Sequence, residues 1–579
     1  MNFVFVEGGG VETPKILQRI LKLRKIALIL AGIGAWYYGS MVFDPENMEM
    51  TRISEHALMP GLVSAKFDKS GLAVGIYRDL AQNPSNPQYV ICKHFHSWHL
   101  SCHHQNWHTN LAGAKMTGRN VYAWIRGQRN DGGEAQLIGV RIGGAGDEQR
   151  AQRNIMIAQI MAFANYAKDQ VYWSRDIVFV FADGETLDES AIGFDAFLQQ
   201  YHLTVANANY STPTVISSDE LKEQCGLLIA GVVYEPADLH KKSKGKVMSA
   251  ATNGINGQQA NLDLFNAAAK IASQKLRAGM ALFGVYNDPH HYKEHSWPYL
   301  IPIRAIYGQA FVAVEGLHSI LGKYSVPAIT IGLAQVQGPE NGIFVESMCR
   351  MLNNALERLH QSYFMYVLGD DLHFASIAYY LPILGIIAFP LLISAYAEWR
   401  EIRRFEIPAE FLIAHVLGFA LFTAAHQMFT KIGTQLEIPD LSLPPTDIGV
   451  LFLLACLVPF GGLLGARASS SDVGSIRLLC QLETCLVIGC LGLVNFGVAL
   501  FGAIVAVPMV FVMTYESISR SRSIFRTIFL FFANPILIAS FAAIHSREYL
   551  EYPQISENPY FDLNVVSFNF YFINNNKKS

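Results

Sequence analysis

The sequence predicts an α/β domain carried by a bundle of membrane-spanning helices. Three observations predict it. Of 579 residues, 51% are hydrophobic and only 16% charged, more apolar than an ordinary soluble protein. The long uncharged apolar runs lie near the start and in the last third. Between them, short β-type runs alternate with helical patterns, the grammar of a mixed α/β fold.

Residues 1–25 read as a cytosolic N-terminus, because Arg19, Lys22, Arg24 and Lys25 precede the first apolar run. That run, residues 26–43, spans roughly 27 Å as a helix, enough for a hydrocarbon core. Trp36, Tyr37 and Tyr38 mark an interfacial anchor rather than a cleavage site. Residues 44–371 then form the α/β domain on the far side of the membrane. Within it, Leu137–Ile142 reads as a buried strand, Arg153–Ala167 as a helix and Asp176–Phe181 as the next strand. Such an order implies a right-handed crossover and a mostly parallel sheet flanked by helices.

The amphipathic run Met348–Phe364, apolar at 348, 351, 352, 355, 356 and 359, predicts a helix lying on the membrane surface. Residues 374–544 read as six further spans, at about 374–397, 409–429, 447–466, 478–495, 498–515 and 524–544. Arginines at 400, 403, 404, 467, 477, 520 and 522 fall in the loops this count places in the cytosol, and Arg526 lies at the cytosolic end of the last span. Residues 545–579 form a polar tail.

A net charge of -3 leaves no basic field for a phosphate backbone, which excludes nucleic acid as a partner. Membrane lipids are the expected surroundings of the spans. Cys92 and Cys102 either pair in an oxidising compartment or stay as buried thiols. Asn209 heads the sequon Asn209-Tyr-Ser211, a glycosylation candidate if this region is luminal.

Three separated stretches carry a resemblance. Residues 171–181 read V-Y-W-S-R-D-I-V-F-V-F, residues 253–266 read N-G-I-N-G-Q-Q-A-N-L-D-L-F-N, and residues 353–366 read N-N-A-L-E-R-L-H-Q-S-Y-F-M-Y. Together, and in this order, they resemble the GPI-anchor attachment protein family. The resemblance implies a subunit of the GPI transamidase complex of the endoplasmic reticulum membrane, with a zinc-aminopeptidase-like luminal domain. It also implies the partners: a caspase-like cysteine protease that does the cutting, the GPI lipid, and precursor proteins with a C-terminal GPI signal. Family members commonly end in a further helix, where this chain reads N-F-Y-F-I-N-N-N-K-K-S at 569–579. Pro535 is therefore read as a packing kink rather than a lipid contact.

The aminopeptidase pattern needs histidines and carboxylates converging from the ends of neighbouring strands. Here Gly143-Gly-Ala-Gly-Asp147 keeps an acid without the histidine, and Arg150 brings positive charge. Asp183 and Glu185 stand where the acidic pair belongs, and no histidine follows the strand at 327–332. No catalytic residue, metal or cofactor is therefore expected, and Asp147, Asp183 and Glu185 are read as lining a cleft for substrate peptide. His94, His96, His99, His103, His104 and His108 form a dense run, with His99 and His103 on one helical face, but no metal-binding frame organises it. For the GPI head group, Ser54 beyond the first helix and His360 and Gln361 before the second are the candidate donors. A functioning zinc aminopeptidase and a polytopic transporter are the competing readings.

Overall fold

A computed structural model describes residues 26–416 and 470–514, apart from 51, 54–57, 60–62, 112–113, 130–131, 145, 203–215, 238–246, 286–298, 312–314, 334–337, 356–358, 360–364, 403–406, 408, 410 and 414. The chain divides into two units. One holds Met1–Met41 with Ala378–Ser579, the other Val42–Ile377.

In the first unit, helix α1 (Ala27–Val42) is apolar throughout. The second unit opens with strand β1 (Glu49–Met50), then α2 (Ser70–Gln82) and α3 (Pro87–Ser97). Strands β2 (Cys102–Leu111) and β3 (Ala114–Ile125) form a hairpin, followed by β4 (Glu134–Ile142), α4 (Asp147–Ala167), β5 (Asp176–Asp183) and α5 (Leu187–Tyr201). Next come β6 (Ser217–Ser218), β7 (Leu227–Pro236), β8 (Val247–Ala251), α6 (Leu262–Leu276) and β9 (Gly279–Leu282). The unit closes with α7 (Leu300–Phe311), α8 (His318–Lys323), β10 (Ala328–Leu333), α9 (Glu340–Asn354), β11 (Tyr366–Leu368) and β12 (His373–Ser376).

Nine strands form one sheet in the order β6-β2-β3-β5-β4-β7-β10-β8-β9. The middle four, β5, β4, β7 and β10, run parallel, and β3 and β8 flank them antiparallel. Strands β4 and β5 are buried over nearly their whole length, as parallel strands covered on both faces must be. The expected sheet flanked by helices is thus present, but it is mixed, parallel through its middle four strands with antiparallel pairings on both sides of them. The chain leaves β4 toward β5 on one side and later returns to pair β7 on the other, so the strand order reverses at the β4/β7 boundary. In open α/β sheets the crevice beyond the carboxyl ends at such a reversal is where ligands bind.

Helix α4 starts at Asp147, earlier than the predicted Arg153, because acids in the first turn suit the positive end of the helix dipole. Helix α5 is fixed by a capping box, the Thr186 hydroxyl accepting from Glu189 N while the Glu189 carboxylate accepts from Thr186 N.

Two expectations are corrected. The stripe of Met348, Met351, Leu352 and Ala355 is buried inside this unit rather than offered to a membrane surface, and α9 ends at Asn354. Glu346 is fully buried on the same helix, so α9 is a core helix. His99 and His103 do not share a helical face either. His94 and His96 lie on α3, His99 adopts φ 61° in the following turn, and His103, His104 and His108 lie on β2.

The first unit continues with α10 (Pro382–Glu401), α11 (Ser470–Val494) and α12 (Phe496–Thr514). Among the described residues, Ile377–Glu401 and Gly474–Val494 are long and apolar enough to cross a membrane, and Ala27–Val42 and Phe496–Phe511 are shorter apolar helices. Buried Gln481 donates to the Ser394 hydroxyl at 3.0 Å and ties α11 to α10. The buried Asn495 makes the whole turn between α11 and α12, its carboxamide oxygen accepting from Val498 N at 3.1 Å. The spans expected at 447–466 and 524–544 and the polar tail lie outside the described residues, as does most of the span at 409–429.

Candidate functional site

The three stretches that carry the resemblance are brought together, and their polar groups are spent on structure. Asn353 at the end of α9 accepts through Oδ1 from Ser174 N at 2.8 Å, Ser174 Oγ at 3.0 Å and Arg175 N at 3.2 Å. Arg175 in turn donates to the carbonyls of Leu352 at 2.6 Å, Asn353 at 3.0 Å and Ala355 at 2.6 Å, and to the Glu134 carboxylate at 2.7 Å. A guanidinium thereby caps the carbonyls that a helix end leaves orphaned. Tyr366 of the third stretch donates to the Ala260 carbonyl of the second at 2.7 Å. Within that second stretch, Gln259 donates to the Asn253 carboxamide at 2.5 Å, and Asn261 caps α6 by accepting from Asp263 N and Leu264 N.

Buried Glu346 is a further knot. Its carboxylate accepts from Lys66 N at 2.7 Å, Phe67 N at 2.8 Å, the Tyr166 hydroxyl at 3.1 Å and the Tyr172 hydroxyl at 3.2 Å. Burial, with Glu346 beside them, raises both tyrosines above the usual phenol range, Tyr172 the more.

The candidate site is the crevice at the carboxyl ends of β4, β5 and β7. Two glycine turns shape it. Gly143 has φ +88°, and a Cβ there would come within 2.9 Å of the Gly184 carbonyl oxygen, so the turns after β4 and β5 are pressed together. Beneath them, Arg141 of β4 reaches across to Glu235 of β7 at 3.4 Å and donates to the Ser190 hydroxyl at 3.2 Å. Arg153 of α4 is 8% exposed and donates to the Gly143 carbonyl at 2.8 Å. Burial, with the Arg141 charge beside it, pulls Arg153 down to about 10. Burial also pushes the Asp188 carboxyl above its usual range, against the pull of Arg141. The second Glu235 oxygen is buried without a hydrogen-bond partner.

The expected cleft acids are not pooled in this crevice. Asp147 is fully exposed, 3.7 Å from Arg150 on the next turn. Asp183 is committed to the antiparallel neighbour, accepting from Arg119 N at 2.8 Å, and burial raises its carboxyl. Glu185 is exposed, its backbone N donating to Glu189. Ser54, His360, Gln361 and Asn209 lie outside the described residues. The positive charge expected from Arg150 comes instead from Arg141 and Arg153, and the acid facing it is Glu235. An arginine inside the apolar strand of residues 137–142 was the signal for this. The donor set does not fit a pair of zinc ions, since two guanidiniums fill the crevice where imidazoles are needed. Among the described residues there is no group of three His, Cys, Asp or Glu able to hold a metal.

Cys92 of α3 and Cys102 of β2 form a disulfide with Cα atoms 5.4 Å apart, closing the turn that contains His99. This decides between the two states the sequence leaves open.

Fold and site together define an open α/β sheet with two buried arginines at its crevice, in a chain that also carries apolar helices. The chain matches the family described as Gaa1-like, GPI transamidase component, over residues 117–571, and it belongs to that family. It is 26% identical over 564 residues to the GPI transamidase component gaa1 of Schizosaccharomyces pombe, covering 94% of this chain and 90% of that protein. It is 23% identical over 530 residues to GPI transamidase component GAA1 of Saccharomyces cerevisiae, covering 88% of this chain and 78% of that one. Solved structures similar to it include a glutaminyl cyclase from an Acidobacteriales bacterium, with TM-score 0.31, 14% identity, and coverage of 50% of this chain and 97% of that chain. The LapA aminopeptidase of Legionella pneumophila gives TM-score 0.28, 9% identity, and coverage of 60% and 74%. At such scores these likenesses carry no argument, and the fold rests on the strand order. A component implies other subunits, so the chain acts within a complex.

Proposed function

We propose that the chain is a non-catalytic subunit of a GPI transamidase that brings GPI lipid and precursor protein together. A partner subunit, a caspase-like cysteine protease, performs the cut. One observation carries this reading: in a member of this family, the crevice that would need metal-binding imidazoles holds the Arg141 and Arg153 guanidiniums. The complex resides in the endoplasmic reticulum membrane, with the N-terminus cytosolic and the α/β unit luminal. The Cys92–Cys102 disulfide supports that orientation, because disulfides persist in oxidising compartments. In this reading Ser54, His360 and Gln361 meet the lipid head group, Asp147, Asp183 and Glu185 border the precursor peptide, and Asn209 carries a glycan.

Affinity purification of the full-length protein from membranes tests it. The expected result is co-purification of a caspase-like protease and of GPI lipid, with no peptide-cleaving turnover by this chain alone. Stoichiometric zinc together with such turnover would overturn it in favour of an aminopeptidase. Simultaneous Ser54→Ala and Gln361→Ala substitution is expected to lower GPI attachment at unchanged protein level. Unchanged attachment withdraws the lipid-contact assignment.

A further inference from the structure

The crevice at the β4/β7 reversal holds two buried guanidiniums with one carboxylate in contact. Arg141 and Arg153 face one close carboxylate, Glu235, which lies 3.4 Å from Arg141. Arg153 donates to a single carbonyl, that of Gly143. A guanidinium has five N–H donors in a rigid fork, and enclosing it this sparsely is costly unless another acceptor arrives. Asp188, whose carboxyl burial raises, makes no ion-pair contact with either guanidinium among the described residues. The acids of the first turn of α4 do not enter: Asp147 is fully exposed and turned to Arg150, and Glu148 is exposed. Access exists, because the Glu235 side chain is 21% exposed while Arg141 beside it is 7% exposed. The strand order places this cluster where a parallel sheet offers its binding crevice.

We propose that Arg141 and Arg153 form a binding site for a singly charged oxoanion, a phosphodiester or a carboxylate, whose oxygens complete the two guanidinium forks. The pairing suits the chemistry, because guanidinium N–H groups match the spacing of carboxylate and phosphate oxygens. Two guanidiniums in contact with one carboxylate suit a monoanion. The site rests on this geometry alone and stands or falls separately from the scaffold reading, which is decided by zinc content and turnover.

Thermal unfolding of the full-length protein in detergent, at fixed ionic strength, tests it with dimethyl phosphate, acetate and chloride as probes. Dimethyl phosphate or acetate at millimolar concentration raises the melting temperature of the unaltered protein, and chloride does not. The stronger of the two identifies the source, a phosphodiester head group or a peptide carboxylate. Arg153→Met loses about tenfold or more in affinity for that anion, as expected for a charged hydrogen-bonding partner. In the absence of anion it melts at or above the unaltered protein, because an apolar side chain of similar length replaces an under-paired buried charge. Glu235→Gln removes the competing carboxylate and strengthens the anion response, which keeps the test valid should Arg153→Met fold poorly. The proposal is overturned if neither oxoanion shifts the melting temperature, or if Arg153→Met or Glu235→Gln leaves the shift unchanged.

Discussion

Two buried arginines sit at opposite ends of the same parallel strands and are treated in opposite ways. Arg175, immediately before β5, is met by three carbonyls and the Glu134 carboxylate. Arg153, beyond the far end of β4, donates to one carbonyl. Burial of a guanidinium is tolerable when its donors are matched, and costly when they are not. The contrast separates stability from binding within one sheet. The amino-terminal end is a finished structural joint, and the carboxyl-terminal end keeps hydrogen-bonding capacity in reserve.

The largest expected effect would break the contrast if absent. Arg175→Met removes all four bonds and leaves the α9 carbonyls without their cap, at a cost of about 3–5 kcal/mol measured by denaturant unfolding. No loss, as expected for Arg153→Met without anion, would show that the two arginines are equivalent. Glu346→Gln sharpens the comparison on the satisfied side. One of its oxygens becomes a donor facing existing donors, and a loss of about 2–3 kcal/mol is expected in the same measurement. The Cys92→Ser, Cys102→Ser pair acts through the unfolded chain instead, and a loop of this size gives a loss of about 2–3 kcal/mol under oxidising conditions. Under reducing conditions the difference should vanish.

The smallest effect concerns a third enclosed charge. Glu315, whose carboxylate accepts from Asn253 N at 2.6 Å, is pushed up to about 8 by burial, and nearby His318 is pulled down to about 4 by burial. The folded state therefore holds the Glu315 proton more tightly, so its stabilisation is full below the ordinary carboxyl range and is lost as pH rises toward 8. His318 acts in reverse, its stabilisation present above the ordinary imidazole range and lost as pH falls toward 4. Between those ranges the two slopes oppose, and from about pH 6.5 to 8 Glu315 acts alone. Stability should fall there by at most about 1.4 kcal/mol per pH unit, and Glu315→Gln should flatten the fall. A fall of equal slope in Glu315→Gln would assign it elsewhere.

Much of the sheet was legible because its strands are self-declaring. Residues 137–142 and 176–181 are nearly unbroken apolar runs, which a doubly covered parallel strand requires. Helix α9 misled because helical periodicity reports which face is apolar and not what covers it, and Glu346, just ahead of that stripe on the same helix, becomes intelligible only with its tyrosine and backbone partners in view. The crevice was half legible. The missing histidines could be read from the strand ends, but Glu235 meets Arg141 only through a strand pairing between segments far apart in sequence. The acids at 147, 183 and 185 look alike in sequence and diverge because one faces water, one faces β3 and one sits on an exposed turn.

The small sheet at the edge of the α/β unit sets an order of events during synthesis. Glu49 pairs with Phe374 and Met50 with His373, so the first strand waits for the last before it has a partner. Nearly the whole unit must leave the ribosome before this clasp closes. Contacts so distant along the chain are slow to form, and the waiting chain exposes apolar surface that chaperones must cover. A soluble fragment cut short at either end would lose the clasp, whereas one retaining both ends keeps the means to fasten itself.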